Sequence, residues 1–360
     1  MRPTVSICLP NLNTREFLPE RFATIFGQSF SDWELLVYDS HSTDGAWEFI
    51  EQVARSDSRI RAWQGPREGT PGSWNPCIRQ AVGEYVYIAT SDDTMSADCL
   101  EKLVVALEAH PECDVAHCRL KAIDGFGREI SGPSWSTSIF ANSCGPLLDR
   151  RHVRKAPFDG LLHLLGGSVW VSITQLLIRR RLFDRIGLFE STWGSVGDFN
   201  WDMRAGLVAN VVHVPDAWGG WRIHGGQATA GAALQSPEHA QRIEGMIADA
   251  IKMCGKFLTP QVRERLRTEW APQAEEFRRF VRGKEELNGS AGRAFVVRQL
   301  LSGSGAARQH VKARLRGQGP WCVSFPGVVL GWLKEADMGP ILIPDHASLE
   351  LKAFLEHRAL

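Results

Sequence analysis

The first 120 residues alternate between short apolar runs and longer amphipathic stretches, and that alternation decides the fold class. Val5–Leu9 is an apolar run that stops at Pro10, as a buried strand does. Asn13 or Thr14 then caps a stretch with Phe17, Leu18, Phe22, Ile25 and Phe26 on one helical face. Leu35–Tyr38 repeats the strand pattern, and a helix with Trp47, Ile50 and Val53 on its inner side follows. Ile60–Trp63, Tyr85–Ala89 and Val115–Leu120 read as further strands, with helices around Trp74–Val82 and Leu100–Ala109 between them. Strand–helix alternation with short loops implies βαβ units, hence an α/β fold with a mostly parallel sheet flanked by helices.

Beyond this half the pattern loosens. Lys121–Leu165 is rich in Gly, Ser and Pro and reads as loops covering the sheet. Leu182–Ile186 is a short helix ending at Gly187, Asp198–Ala205 another helix, and Val211–Val214 and Trp221–His224 two strands. After Ala230 long helical patterns rich in Glu, Arg and Gln take over. We therefore expect a catalytic domain over residues 1–235 and a mainly helical C-terminal region over 236–360.

Composition excludes several classes. Forty-one basic residues balance forty-one acidic ones, so the chain as a whole carries no basic nucleic-acid footprint. The eight cysteines include no C-x-x-C pair, which fits free buried thiols better than a zinc ribbon or a disulfide framework. No signal-like leader and no apolar run of the ~20 residues needed for a membrane span is present, so a soluble, cytoplasmic protein is expected. There is no G-x-G-x-x-G after the first strand and no G-x-x-x-x-G-K-[ST], which removes dehydrogenase and P-loop readings.

In parallel sheets ligands bind outside the carboxyl ends of the strands. Three polar clusters fall there: Pro10–Asn13, Asp39–Gly45 and Asp92–Asp93. Two adjacent carboxylates repel unless a cation or donor intervenes, and a divalent cation bound by one or two carboxylates plus phosphates answers that. The plainer reading is a solvated turn in which Asp caps the next helix. The Asp39–Gly45 cluster likewise suits a base edge or a ribose, or simply a capping turn.

Together, Val5–Asn13, Gln28–Gly45 and Gly83–Asp93 resemble glycosyltransferase family 2. Gly197-Asp198-Phe-Asn-Trp-Asp-Met-Arg204 is similar to that family's acidic helix, and Trp221-Arg-Ile-His224-Gly-Gly-Gln227 to its late signature. The resemblance implies an inverting, metal-dependent enzyme of GT-A fold that uses a nucleotide-sugar donor, most readily a UDP-sugar. The acceptor implied is a glycan or lipid-linked saccharide in cell-surface polysaccharide synthesis. Carried over by position, Pro10, Asn13, Asp39 and Asp44 match the nucleotide pocket. Asp92 is implied at the ribose or sugar, Asp93 on a Mn²⁺ or Mg²⁺ ion bridging the diphosphate, and His224 beside the metal or diphosphate. Asp198 matches the general base. The donor half is expected over about residues 1–120 and the acceptor half over 121–235.

Two departures stand out: Thr90 occupies a position that is usually acidic in the family, and Gly197 one that is usually Glu, with Asp202 a reserve carboxylate. Among Trp135, Trp170, Trp193, Trp201, Trp218 and Trp221, one or two are expected to meet an acceptor sugar, and Arg179–Arg181 to form a solvated charged face. Arg308–Arg316 is basic and Pro320–Leu333 apolar. This tail reads as a helical cap or dimer interface, with peripheral docking on the inner membrane face as the second reading. Two rival functions are a nucleotidyltransferase, which needs a Gly-rich basic first loop that Pro10–Thr14 lacks, and a non-catalytic sugar-nucleotide-binding module.

Overall fold

A computed structural model describes residues 2–130, 145–164, 168–227 and 237–272, with shorter stretches at 275–276, 279, 289–304, 307–308, 311 and 341–342. In chain order the elements are β1 (Val5–Asn11), α1 (Leu18–Phe26), β2 (Trp33–Asp39), α2 (Ala46–Ser56), β3 (Ile60–Gln64), α3 (Asn75–Gln80), β4 (Tyr85–Ile88), β5 (Thr94–Met95), α4 (Cys99–Ala109) and β6 (Val115–Ile123). There follow β7 (His152–Arg154), α5 (Phe158–His163), β8 (Leu176–Arg179), α6 (Arg181–Ile186), α7 (Gly197–Val208), β9 (Val211–Arg222), α8 (Pro237–Cys254), α9 (Pro260–Arg265), α10 (Gly289–Leu301) and β10 (Ile341–Leu342).

The strands form one sheet in the order β10-β7-β9-β6-β8-β4-β1-β2-β3, with β5 pairing β9. β3, β2, β1 and β4 are parallel neighbours, and so are β6 and β9. β8 lies antiparallel between β4 and β6, which makes β6 and β9 run the same way as β1–β4. Six strands thus end at one edge of the sheet. Successive side chains alternate between its faces, as the pleat requires. Ile7, Leu9, Leu35, Val37 and Tyr87 face α1, α2 and α4, while Cys8, Leu36, Val86, Ile88 and Ile178 face α3 and the helices of the second half.

Most expected elements form, and the differences have physical causes. β1 continues through Pro10 to Asn11, since proline's fixed φ suits a strand end. The strands expected at Val211–Val214 and Trp221–His224 are one strand, β9, whose pairing with β6 shifts at Cys118/Arg119. The expected loop region contains β7 and the fully buried α5. Its helix is hidden in the sequence because small residues build the contact: a Cβ on Gly160 would lie 2.3 Å from the Leu207 nitrogen, and one on Gly206 2.5 Å from the Gly160 nitrogen. α5 and α7 therefore meet backbone to backbone, which fixes where α7 starts.

α8, the first helix beyond residue 235, packs into the same core through Ile243, Met246, Ile247 and Ala250. Asn200 on α7 donates to the Met246 carbonyl at 3.2 Å. β10 returns to pair with β7 at the sheet's far side. Trp135, the Pro320–Leu333 stretch and most of Arg308–Arg316 lie outside the described residues. Among the described residues no helix is long and apolar enough to cross a membrane. Cys8, Cys77, Cys99, Cys113, Cys118 and Cys254 are buried and free.

Trp170 and Trp201 are core residues; Trp201 stacks between Phe183 and Phe189 at 5.2 and 5.0 Å. The solvated face expected at Arg179–Arg181 holds for Arg181, which is exposed, but not for Arg179, and all three brace their neighbours. Arg179 is buried and donates to Tyr85, Leu107 and Cys113, Arg180 to Gly83, and Arg181 to Asp114 at 2.7 Å. Because β8 runs against its neighbours, this trio sits at the sheet edge opposite the polar clusters.

Four histidines are buried beside this second half. His117 and His213, register partners on β6 and β9, share a contact between their Nδ1 atoms at 3.1 Å. Burial, reinforced by the Arg154 charge, pushes His152 down to about 4. Burial lowers His163 to about 3, with Asp159 opposing and Arg154 reinforcing the shift. A histidine held neutral in the fold contributes stability above its unfolded value of about 6.5 and loses it as pH falls towards the folded value. Melting temperature is therefore expected to fall from pH 6.5 towards 4. A His163→Gln variant should show a shallower acid slope than the parent, whereas an unchanged slope would remove His163 from the account.

Candidate functional site

Because β1, β2, β3, β4 and β9 end at one edge, Asn11, Asp39, Gln64, the Asp92–Asp93 turn and His224 gather there from five distant parts of the chain. Asp39 is fully buried at the end of β2. One carboxylate oxygen accepts from Asn11 Nδ2 at 2.7 Å and Ser42 Oγ at 2.6 Å, the other from Ser42 N and Gln64 Nε2, both at 2.9 Å. Burial alone would raise this carboxyl, yet the hydrogen bonds from Ser42, Gln64 and Asn11 outweigh it and hold the group below the usual carboxylate range.

Asn13 adopts a left-handed φ of 54°, and its Oδ1 accepts from Thr43 N at 2.8 Å. Asp44 accepts from Arg15 N at 2.8 Å and Ala46 N at 3.1 Å, so it starts α2 and ties the first loop to the second. Pro10 is buried within β1. These residues form one framework at the ends of β1 and β2. Asn11, Ser42 and Gln64 were missed by sequence reasoning; only the Pro10-Asn11 pairing hinted at the first.

The acidic turn divides its two carboxylates. Asp92 is partly exposed, and its Oδ2 lies 3.1 Å from His224 Nε2. His224 Nδ1 accepts from Gly226 N at 3.3 Å, which leaves the proton on Nε2 facing Asp92. Asp93 points inward with 2% exposure. One of its oxygens accepts from Arg222 N at 2.9 Å and the other from Thr90 Oγ1. Burial and the Asp92 charge push Asp93 up to about 7, against the Thr90 and Arg222 hydrogen bonds and the charge of Arg21. Thr90 thus supplies a donor where a third carboxylate would add repulsion.

Asp198 lies in the first turn of α7. A Cβ on Gly197 would meet the Pro71 ring at 3.0 Å and the Glu190 carbonyl at 2.7 Å, so the start of α7 lies against the loop that follows β3. No side chain fits at 197. Asp198 is half-buried, and burial pushes it up to about 6 against a hydrogen bond from Phe199 N at 2.9 Å. Asp202, one turn on, is buried with one carboxylate oxygen lacking a partner. Burial and then the Asp198 charge raise it well above the usual carboxylate value. Arg204 closes the motif structurally, donating to the Ile186 and Leu188 carbonyls at 2.8 and 2.7 Å.

Residues 6–186 match the model of glycosyl transferase family 2. The chain belongs to that family. The match covers β1 through α6, including the loops after β1 and β2 and the acidic turn. A GalNAc(5)-diNAcBac-PP-undecaprenol beta-1,3-glucosyltransferase from Campylobacter jejuni is 26% identical over 132 residues, 36% of this chain and 43% of the relative. The chain spans about half or less of the length of the first curated relatives it matches. Two solved structures share the fold: S. aureus TarS 1-349 in complex with UDP, and the mannosyltransferase PcManGT from Pyrobaculum calidifontis in complex with GDP-Man and Mn²⁺. TarS has TM-score 0.56 and 19% identity over 82% of this chain and 78% of that one. PcManGT has TM-score 0.52 and 19% identity over 89% and 82%. Trp221–Gln227 and Gly197–Arg204, which resemble a late signature and an acidic helix of the family, lie beyond the matched span, and β9 brings the first of them to the same sheet edge.

An Asp–His pair can hold a divalent cation with phosphate oxygens completing the shell, since such ions commonly take one or two protein carboxylates plus substrate phosphates. Among the described residues no group of three or more His, Cys, Asp or Glu side chains forms a ready cage. The donor set therefore fits a cation that arrives with a diphosphate.

Proposed function

We propose that this family 2 member is a metal-dependent inverting glycosyltransferase that moves a sugar from a UDP-sugar to a hydroxyl of a glycan or lipid-linked saccharide. The observation that carries the reading is the contact between Asp92 and His224, 132 residues apart. It is supported by the half-buried Asp198 following Gly197, which lies against the loop after β3. UDP and GDP-Man with Mn²⁺ in the structural neighbours, and the undecaprenol-linked substrate named for the Campylobacter relative, support the choice of donor and acceptor classes.

The roles follow from chemistry. The framework of Pro10, Asn13, Asp39 and Asp44 shapes the nucleotide pocket. Asp92 Oδ2 and His224 Nε2 would hold the cation, the imidazole proton moving to Nδ1 at the expense of the long 3.3 Å contact from Gly226 N. A mixed oxygen–nitrogen pair suits Mn²⁺ better than Mg²⁺. When bound, the cation supplies positive charge beside the departing diphosphate. Asp93, implied as a ligand by the resemblance, acts instead as a positioning residue, because it is buried and turned inward to hold Arg222 N and Thr90. Asp198 takes the acceptor hydroxyl's proton on its carboxylate, and a base with pKa near 6 is well matched to that task near neutral pH. Asp202, buried one turn deeper in the helix and raised by burial and the Asp198 charge, is assigned no proton-transfer step.

The test is nucleoside diphosphate release from UDP-, GDP- and dTDP-sugars with acceptor, with and without Mn²⁺. Release from the UDP-sugar that stops on chelation is expected. Asp92→Asn should weaken Mn²⁺ use strongly, and an unchanged Mn²⁺ requirement would remove Asp92 from the cation site. The kcat profile should rise with pH through about 6 as Asp198 ionises. A profile flat between pH 5 and 7 would contradict its role as base.

A further inference from the structure

Arg222 is the most heavily engaged side chain near the site, and the roles above leave it without one. Its side chain is 1% exposed. Nε donates to the Asp92 carbonyl at 2.6 Å, and Nη1 to the carbonyls of Asp124 and Gly125 at 2.9 and 3.2 Å. Nη2 reaches the Glu20 carboxylate on α1. The guanidinium lies over the Phe17 ring at 5.0 Å, and the other neighbour of that ring is His224, centroids 4.6 Å apart. The Arg222 carbonyl accepts from Gln227, whose Oε1 in turn receives the His224 backbone N–H at 3.3 Å.

One planar fork therefore fixes four things at once: the acidic turn, the start of α1, the hairpin turn after β6 and the end of β9. We propose that Arg222 is a positioning residue that sets the spacing between His224 and Asp92. The inference rests on the cation-holding role proposed for those two residues. A lysine cannot replace it, since a single ammonium cannot address the Asp92, Asp124 and Gly125 carbonyls and the Glu20 carboxylate together. Groups that orient metal ligands from behind commonly govern affinity by about 10–100-fold.

The test compares wild type, Arg222→Lys and the gentler Glu20→Gln at a temperature where all are folded. Free Mn²⁺ is measured by electron paramagnetic resonance in the presence of UDP, and the His224 side-chain ¹⁵N–¹H signal by NMR without metal. Arg222→Lys should weaken Mn²⁺ affinity about 10-fold or more and shift the His224 signal. Glu20→Gln should move both readouts in the same direction by less, and it carries the test if Arg222→Lys does not fold. A lowered melting temperature with both readouts unchanged overturns the inference, because a purely structural brace behaves that way. If wild type binds no Mn²⁺ yet the His224 signal still shifts in the variants, the cation reading fails and the positioning role stands.

Discussion

Asp198→Asn is expected to lower kcat by about 10²–10⁴-fold, the usual worth of a positioned general base, while leaving UDP-sugar binding intact. Asparagine keeps the shape of the side chain and the acceptor for Phe199 N, so α7 should start where it does now. What it loses is the lone pair that takes a proton. Asp202, the next carboxylate along the helix, is buried one turn further into the core and is poorly placed to take over. The separation of effects is the informative part. Thermal stabilisation by UDP with Mn²⁺ should match the parent, since a ligand held only by the native state acts by mass action. Near-parental turnover in Asp198→Asn would mean that the proton leaves by another route.

The first 120 residues were legible because their signals are local. Alternation of apolar runs and helical faces located β1–β4 and β6 but not the two-residue β5, and strand direction followed from the connections, so Asp39 and Asp92 could be assigned to one edge. The division of labour between Asp92 and Asp93 was not legible. Two adjacent carboxylates look alike in sequence, and only the pairing of Arg222 N with Asp93, set by β9, turns one inward. Arg179–Arg181 misled for a related reason. Three consecutive arginines read as a solvated face, but an antiparallel β8 carries Arg179 under Tyr85 and against Leu107 and Cys113. Gly197 carries its reason in space too, since Pro71 and Glu190 fill the room a side chain would need.

The region read as loops makes the sharpest stability prediction. Asp159 on α5 receives Arg154 Nε at 2.6 Å and Nη2 at 2.8 Å, and its second oxygen also takes Trp170 Nε1 at 2.8 Å. The side chains of Arg154 and Asp159 are 0% and 1% exposed. Asp159→Ala removes the acceptor of a buried indole N–H and the counter-charge of the buried Arg154 guanidinium, which keeps a contact with His152 Nε2 at 2.8 Å. Losing one partner of a buried pair costs about 3–5 kcal/mol. Asp159→Asn, which keeps an acceptor for Trp170, should cost less. The pair itself is not expected to be a large net stabiliser, because desolvating two charges offsets most of their attraction. Arg154→Met combined with Asp159→Leu should therefore recover much of the loss seen in Asp159→Ala. Urea unfolding measures all three variants, and a loss below about 1 kcal/mol in Asp159→Ala would show that the guanidinium finds water or another partner. Since α5 touches α7 at Gly160 and Gly206, the same substitution should also displace Asp198 and lower turnover at temperatures where the protein is still folded. Turnover recovering together with stability in the double variant would locate that effect in the packing of α5 on α7.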